Sequence, residues 1–328
     1  MDELATTILK HSAVPSEEAV LGVLDEYQSI VHILLSAQTS ASSATPEARP
    51  GSTATSALLS SVNKNNAPRA VTRSDLLAYI SDRALAIVDH APVFITTPIL
   101  KTYVSLQSLL DTPQSFPAVF DLYRLKPVPK PTETQPITYS EQNPDKASAA
   151  VPPAVADAAI DAALAVRDLP LALATIDSTY CTTAYKRAKF LRSALFPIAG
   201  LVLTPPAAYT LATQFSDWQT TMDSSTATQV AMAGILTYTT AVATVGYVAL
   251  TTANDQMVRV TWATGMPLWE RWVREEERGA LDKLAQTWGF KSRDKWGEEE
   301  GDEWYSLKEF IGLRGMMLDR VELMDGME

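Results

Sequence analysis

The chain has 328 residues, with 27 Lys+Arg against 38 Asp+Glu, a formal net charge of -11, a single cysteine and three histidines. That length admits two modest modules beside a membrane segment, at roughly 100–200 residues per domain. The acidic balance disfavours RNA or DNA as a partner, because phosphate binding needs clustered Lys and Arg, and Cys181 alone excludes an internal disulfide framework, a Cys-based zinc site and a redox pair.

Met1-Asp2-Glu3-Leu4 has neither the basic start of a secretory signal nor the Arg-rich, acid-poor character of a mitochondrial presequence. No targeting signal is visible in this numbering. Residues 1–185 read as an all-α soluble domain, with no alternation long enough to suggest a sheet. Ser16-Glu17-Glu18 opens a helix whose broad apolar face carries Val20, Val23, Leu24, Tyr27, Ile30, Val31 and Leu34. His32 sits on that helix and reads as a packed residue; His11 and His90 are too distant in sequence to form a ligand set with it. Residues 36–72 are dominated by Ser, Thr, Ala, Pro and Asn and predict a flexible loop. Ser74-Asp75 opens a second helix through Ile80, Leu85 and Val88. A pair of helices follows, from Thr97-Pro98 through Leu110 and, after Pro113, from Phe116 through Leu122. Residues 126–152 are proline-rich, which favours extended backbone. A second pair runs from Pro153 through Leu164 and from Leu169 through Ile176.

Residues 186–258 predict a transmembrane hairpin. After Lys186, Arg187, Lys189 and Arg192 no charged residue appears until Asp217, and a second uncharged run follows Asp223 and lasts to Asn254. About 20 helical residues cross a hydrocarbon core, so spans are expected at about 193–214 and about 229–253. Gly234, Thr237, Ala241 and Thr244 recur at helical spacing and are expected to face the first span, since small side chains let membrane helices approach closely. Lys186, Arg187, Lys189 and Arg192 before the hairpin, with Arg259, Arg271 and Arg274 after it, set the topology: both tails belong on the cytosolic or matrix side.

Residues 259–328 form a charged helical tail with Trp262, Trp269, Trp272, Trp288, Trp296 and Trp304. One helix is expected from Leu268 to Trp288, ending at Gly289, and another from near Asp302 through Ile311. The tail is too short to bury six tryptophans unaided, so these residues are the expected contacts with a partner, the membrane interface or the rest of the chain. The acidic run Glu298-Glu299-Glu300-Gly301-Asp302-Glu303 lacks the ligand spacing of a calcium loop and reads as a solvated turn. No phosphate-binding loop, nucleophile elbow or His-based motif is present, so no catalytic, cofactor-binding or metal residue and no small-molecule substrate are expected.

The helix pairs at 97–122 and 153–176 resemble degenerate tetratricopeptide or pentatricopeptide repeats, which stack into binding surfaces. In style of composition, rich in Ala, Ser, Thr and Pro around a membrane hairpin, the chain resembles fungal mitochondrial inner-membrane proteins. That resemblance implies a non-catalytic adaptor, subunit or assembly factor of an inner-membrane or ribosome-associated complex, with other protein subunits and the lipid bilayer as partners and both termini in the matrix. The alternative it leaves is a membrane-anchored RNA-binding factor in organellar gene expression.

Overall fold

The computed structural model describes residues 2–10, 14–42, 72–130, 138–252 and 258–319. The protein is mostly helical with few short strands, and it forms two compact units: Met1–Gln142 with Pro152–Val166, and Asn143–Val151 with Arg167–Glu328.

The first unit holds α1 (Asp2–Lys10), α2 (Glu17–Ser42), α3 (Arg73–Asp89), α4 (Thr97–Leu109), a 3-10 turn at Pro113–Ser115, α5 (Phe116–Leu125) and α6 (Pro153–Val166). Helix α3 begins at a capping box: Asp75 N–H donates to Thr72 Oγ1 at 3.3 Å and Thr72 N–H donates back to the Asp75 carboxylate at 3.1 Å. Helix α4 starts with Pro98 in its first turn, where the missing N–H costs nothing. The core is built from Leu24 and Val31 of α2, Ile87 of α3, Leu100 and Leu106 of α4, Phe116 and Phe120 of α5 and Ile160 of α6, all buried. One buried polar group, Gln107, is fully engaged: its amide donates to Tyr103 Oη at 3.2 Å and Ser81 O at 3.3 Å, and its Oε1 accepts from Ser81 Oγ at 2.9 Å and Thr112 Oγ1 at 2.5 Å.

The second unit holds a 3-10 turn at Ala147–Ala149, then α7 (Leu169–Thr179), α8 (Thr183–Ser193), α9 (Leu195–Trp218) and α10 (Ser224–Thr252). Its C-terminal part adds β3 (Val260–Trp262), α11 (Leu268–Val273), α12 (Glu275–Trp288), a 3-10 turn at Arg293–Lys295, α13 (Asp302–Leu313) and β4 (Met316–Leu318).

Several expectations need correction. The all-α reading misses two antiparallel ribbons, β1 (Val128–Lys130) with β2 (Thr138–Ser140), and β3 with β4 in the register Val260 to Leu318 and Trp262 to Met316. Strands of three residues are too short for alternation to show. The proline-rich stretch 126–152 thus contains β1, β2 and a 3-10 turn, with 131–137 outside the described residues. Helix α2 continues to Ser42, into the stretch read as loop from residue 36, and 43–71 lies outside the described residues. The helix expected from Leu268 to Trp288 breaks at Arg274, whose backbone leaves helical geometry (φ -105, ψ 17) where its side chain grips Glu270 and Glu277. Of the two helix pairs, α4 and α5 lie in one unit, whereas α6 belongs to the first unit and α7 to the second.

Three helical segments are long and apolar enough to cross a membrane: Glu17–Ser36, Ala147–Val166 and Ser224–Ala249. Helices α8 and α9 pass the same test together as a pair, Thr183–Ser193 with Pro197–Trp218, bent by 41°. Pro197 at that bend has no N–H for the carbonyl of Ser193, which permits the change of direction.

At the end of α5 the buried Lys126 caps a neighbouring helix, its Nζ donating to Val88 O and His90 O at 2.7 Å each. Burial, partly offset by Asp89, lowers its pKa from 10.5 to about 8. A lysine depressed in the folded state binds fewer protons than in the unfolded chain, so stability rises with pH through that window. We expect the melting temperature of the wild type to gain on that of Lys126→Met between about pH 8 and pH 10.5; a constant difference would remove burial as the cause.

Candidate functional site

Helices α9 and α10 pack along a seam of small residues. Ala208, Ala212 and Ser216 are buried at four-residue intervals on α9, Ala227 is buried on α10, and Ser216 Oγ meets Ser224 Oγ at 3.3 Å. The expected seam of Gly234, Thr237, Ala241 and Thr244 is exposed; α10 turns Ala231, Met232, Ile235, Leu236 and Thr239 inward. Small residues cover both sides of α10, so spacing alone does not set its rotation, and the seam on α9 does. The threonines satisfy themselves: Thr204 Oγ1 donates to Gly200 O, Thr237 Oγ1 to Ala233 O and Thr244 Oγ1 to Thr240 O, each at 2.8 Å. Outside the seam the helices present large apolar side chains, with Val202 67%, Leu203 64% and Val245 70% exposed.

At the charged end of this pair lies an apolar trough of about 390 Å³. Pro197, Ile198 and Leu201 of α9 form one wall, Ala243, Gly246 and Tyr247 of α10 the other, and Trp269 and Trp272 of α11 close the end. Trp269 stacks edge-on against Phe190 with centroids 5.6 Å apart and tilts against Trp272 at 5.2 Å. Lys189 fixes α11 to α8: its ammonium lies 5.2 Å from the Trp272 ring, donates to Trp272 O at 2.5 Å and pairs with Glu276. A second, more open cleft of about 540 Å³ shares Trp269 and is lined by Asp145, Lys146, Lys186, Arg187 and Phe190. Asp145 accepts from Thr183 Oγ1 through its side chain and from Arg187 Nη1 at 2.9 Å through its carbonyl. Thr182 caps α8, its Oγ1 accepting from Tyr185 N–H at 3.3 Å, and so directs Lys186, Arg187 and Lys189 along one short helix.

Beyond α10 the tail closes around Arg259, which is 1% exposed. Its guanidinium lies between the rings of Trp296 and Trp304, 5.1 and 4.7 Å from their centroids. It binds Asp319 in a two-pronged pair at 2.8 and 2.6 Å and Glu299 at 2.6 Å. Burial pulls the Arg259 pKa down, but the Asp319 and Glu299 carboxylates outweigh it and the net shift is upward. Gly289 has to be glycine here for lack of space: a Cβ would fall 1.7 Å from Arg259 Nη1. Asp282 of α12 receives three consecutive backbone N–H groups, from Val258 at 3.1 Å, Arg259 at 2.6 Å and Val260 at 2.7 Å, which pins the start of β3 to α12.

A second buried carboxylate, Glu277, is 1% exposed and held by Arg274 at 2.9 Å and Arg314 at 2.7 Å. Burial raises its pKa, and the two arginines more than reverse that. Arg314 also reaches Asp177 at 2.5 Å and Cys181 Sγ at 2.8 Å, joining α13 to α7. Burial, with the Glu277 charge adding to it, pushes the Cys181 thiol up to about 12, so the sole cysteine stays protonated.

The six tryptophans therefore fall into separate settings. Trp262 is buried, with the guanidinium carbons of Arg274 and Arg278 5.7 and 5.9 Å from its ring and its Nε1 donating to Glu275. Trp304 is buried and Trp296 half-buried around Arg259; Trp288, half-buried, donates to Glu303 at 2.9 Å. Trp269 and Trp272 alone line the trough, and Trp269 is 46% exposed. Among the basic residues, Lys186 and Arg187 line the open cleft, Lys189 ties α8 to α11, and Arg192 is exposed near the bend. Sequence reasoning named Arg259 and Arg274 only as flanking charges, picked out Trp269 and Trp272 of the trough, and missed Asp282, Glu277, the close packing at Gly289 and the trough walls on α9 and α10. Gly289 as a helix stop was the one visible signal. Among the described residues, no group of three or more His, Cys, Asp or Glu is placed to hold a metal ion. No protein-family model, curated protein or solved structure matches the chain.

We expect Arg259→Ala to destabilise the C-terminal part by about 3–5 kcal/mol, the cost of stranding buried partners of a removed charge. Gly289→Ala is expected to destabilise the wild type strongly and to add little in the Arg259→Ala background; additive effects in denaturation would place the clash elsewhere. Alkylation of Cys181 near neutral pH is expected to be slow in the folded protein and fast after unfolding, and rapid labelling of the folded state would contradict the raised thiol pKa.

Proposed function

We propose that this protein is a non-catalytic adaptor or assembly subunit anchored in a membrane by α9 and α10, with the modules before and after them on the same side. The observation that carries this reading is the α9–α10 pair itself: it has no charged side chain from Ser193 to Ser216 or from Ser224 to Thr252, and no residue in the most apolar window of α10 is buried. Water would face that surface at great cost, and a bilayer would not. The other two membrane-length segments have a different use for their apolar side chains. Val20, Leu24, Tyr27 and Val31 in one, and Ala156, Ile160 and Ala163 in the other, are buried in the core of the first unit. Asp25 and Glu26, or Asp157 and Asp161, further disfavour them in hydrocarbon.

Lys186, Arg187, Lys189 and Arg192 at the base of the hairpin support both tails lying on the cytosolic or matrix side, opposite the acidic turn with Asp217 and Asp223. The resemblance in composition supports the mitochondrial inner membrane, with both termini in the matrix. The net charge of -11 favours protein over RNA as the partner. Trp269, together with the exposed Tyr305 and Leu313 of α13, offers apolar contact surface in the tail.

Alkaline carbonate fractionation of membranes from cells expressing the tagged chain tests the anchor, and protease added from each side tests the topology. Retention in the pellet, with both tails cut from one side only, is expected. Release without detergent would sink the hairpin reading. Mild detergent extraction with native sizing is expected to yield a ribonuclease-resistant assembly containing other proteins; a complex dismantled by ribonuclease would favour an RNA-binding factor instead.

A further inference from the structure

The trough at the base of α9 and α10 is enclosed on three sides by apolar side chains, and its walls lie on the two helices assigned above to the bilayer. Its volume of about 390 Å³ falls within the usual range of ligand pockets, roughly 300–1,000 Å³. The space is left open by small residues: Ala243 and Gly246 line it, and a Cβ added at Gly246 would meet no atom within 4 Å. Trp269 forms part of its end wall and also part of the adjoining cleft, where Lys146, Lys186 and Arg187 gather. An apolar trough and a basic cleft that meet at Trp269 offer complements to the acyl chain and the anionic head group of a phospholipid. Basic pockets beside spanning helices recognise anionic head groups for this reason.

We propose, resting on the membrane assignment of α9 and α10, that this site binds one anionic phospholipid, an acyl chain lying in the trough and the phosphate facing Lys186 and Arg187. Trp269 and Trp272 sit at the level where the chain meets the head group, the depth favoured by interfacial aromatics. Lys189 takes part indirectly: engaged with Glu276 and with Trp272 O, it holds α11 and hence both tryptophans in place.

The test is native mass spectrometry of the full chain extracted in mild detergent from membranes containing phosphatidylglycerol and phosphatidylcholine. The wild type is expected to retain one phospholipid, enriched in phosphatidylglycerol. Gly246→Leu, placed where an added Cβ meets no atom within 4 Å, is expected to fill the trough and lose the bound lipid; Ala243→Leu, on the same wall one turn away, is expected to lose it too and serves if the first variant fails to fold. Lys186→Gln combined with Arg187→Gln is expected to keep a lipid while losing the head-group preference. Unchanged lipid retention in the folded trough-filling variants, or an undiminished preference in the double variant, overturns the proposal. So does full displacement of the lipid by glycerol phosphate, which would assign the cleft to a free phosphate. Carbonate fractionation of the same samples separates the two levels: a wild type that pellets but carries no lipid overturns this site alone, and a wild type released by carbonate overturns the hairpin as well.

Discussion

Arg259 brings a full positive charge to a place water does not reach, and the C-terminal part of the second unit is arranged around that requirement. An isolated buried guanidinium would be prohibitive. Asp319 from the end of β4, Glu299 from the acidic turn, and the faces of Trp296 and Trp304 together replace its hydration. Those partners come from two stretches of chain, 296–304 and Asp319, so holding the arginine also fixes the acidic turn and the start of α13 relative to the end of β4. Gly289 is the point where the backbone yields space, and Asp282 clamps the peptide that carries the arginine. A charge-centred core of this kind suits a segment with too few aliphatic residues for an oily one, because each ion pair is also a positional constraint.

The same unit handles apolar surface in the opposite way. Helices α9 and α10 bury few side chains, chiefly a narrow stripe of Ala and Ser, and leave many bulky ones such as Val202, Leu203 and Val245 outward. Their backbone polar groups are satisfied within each helix, and threonine hydroxyls return to carbonyls of the preceding turn. Lys189 links the two regimes: one ammonium holds the aromatic α11 against the basic α8, where charged and apolar surfaces meet. The first unit is more conventional, with an aliphatic and aromatic core and buried polar groups engaged at Gln107 and Lys126.

The sequence by itself determined the helical character of the chain, the start of α4, the helix stop at Gly289 and the two uncharged runs, because prolines, glycine stops and charge-free stretches act locally; α3 begins at Arg73, capped by Thr72, slightly before the Ser74-Asp75 start read from sequence. It marked two uncharged runs as spans and put the helices opening at Ser16 and Pro153 in a soluble domain, but hydropathy counts apolar side chains and is blind to what covers them. Only the tertiary structure showed that α2 and α6 spend theirs in a core while α10 does not. It also decided the rotation of α10, which depends on the seam offered by α9, and the pairing of three-residue strands too short to carry a pattern. The six tryptophans looked alike in sequence; folding buried Trp262 and Trp304 among arginines and left Trp269 and Trp272 at the trough, a sorting set by contacts with residues up to dozens of positions away. Arg259 and Glu277 read as ordinary charges for the same reason. Their burial follows from partners brought in by the fold, and no local property of the chain announces it.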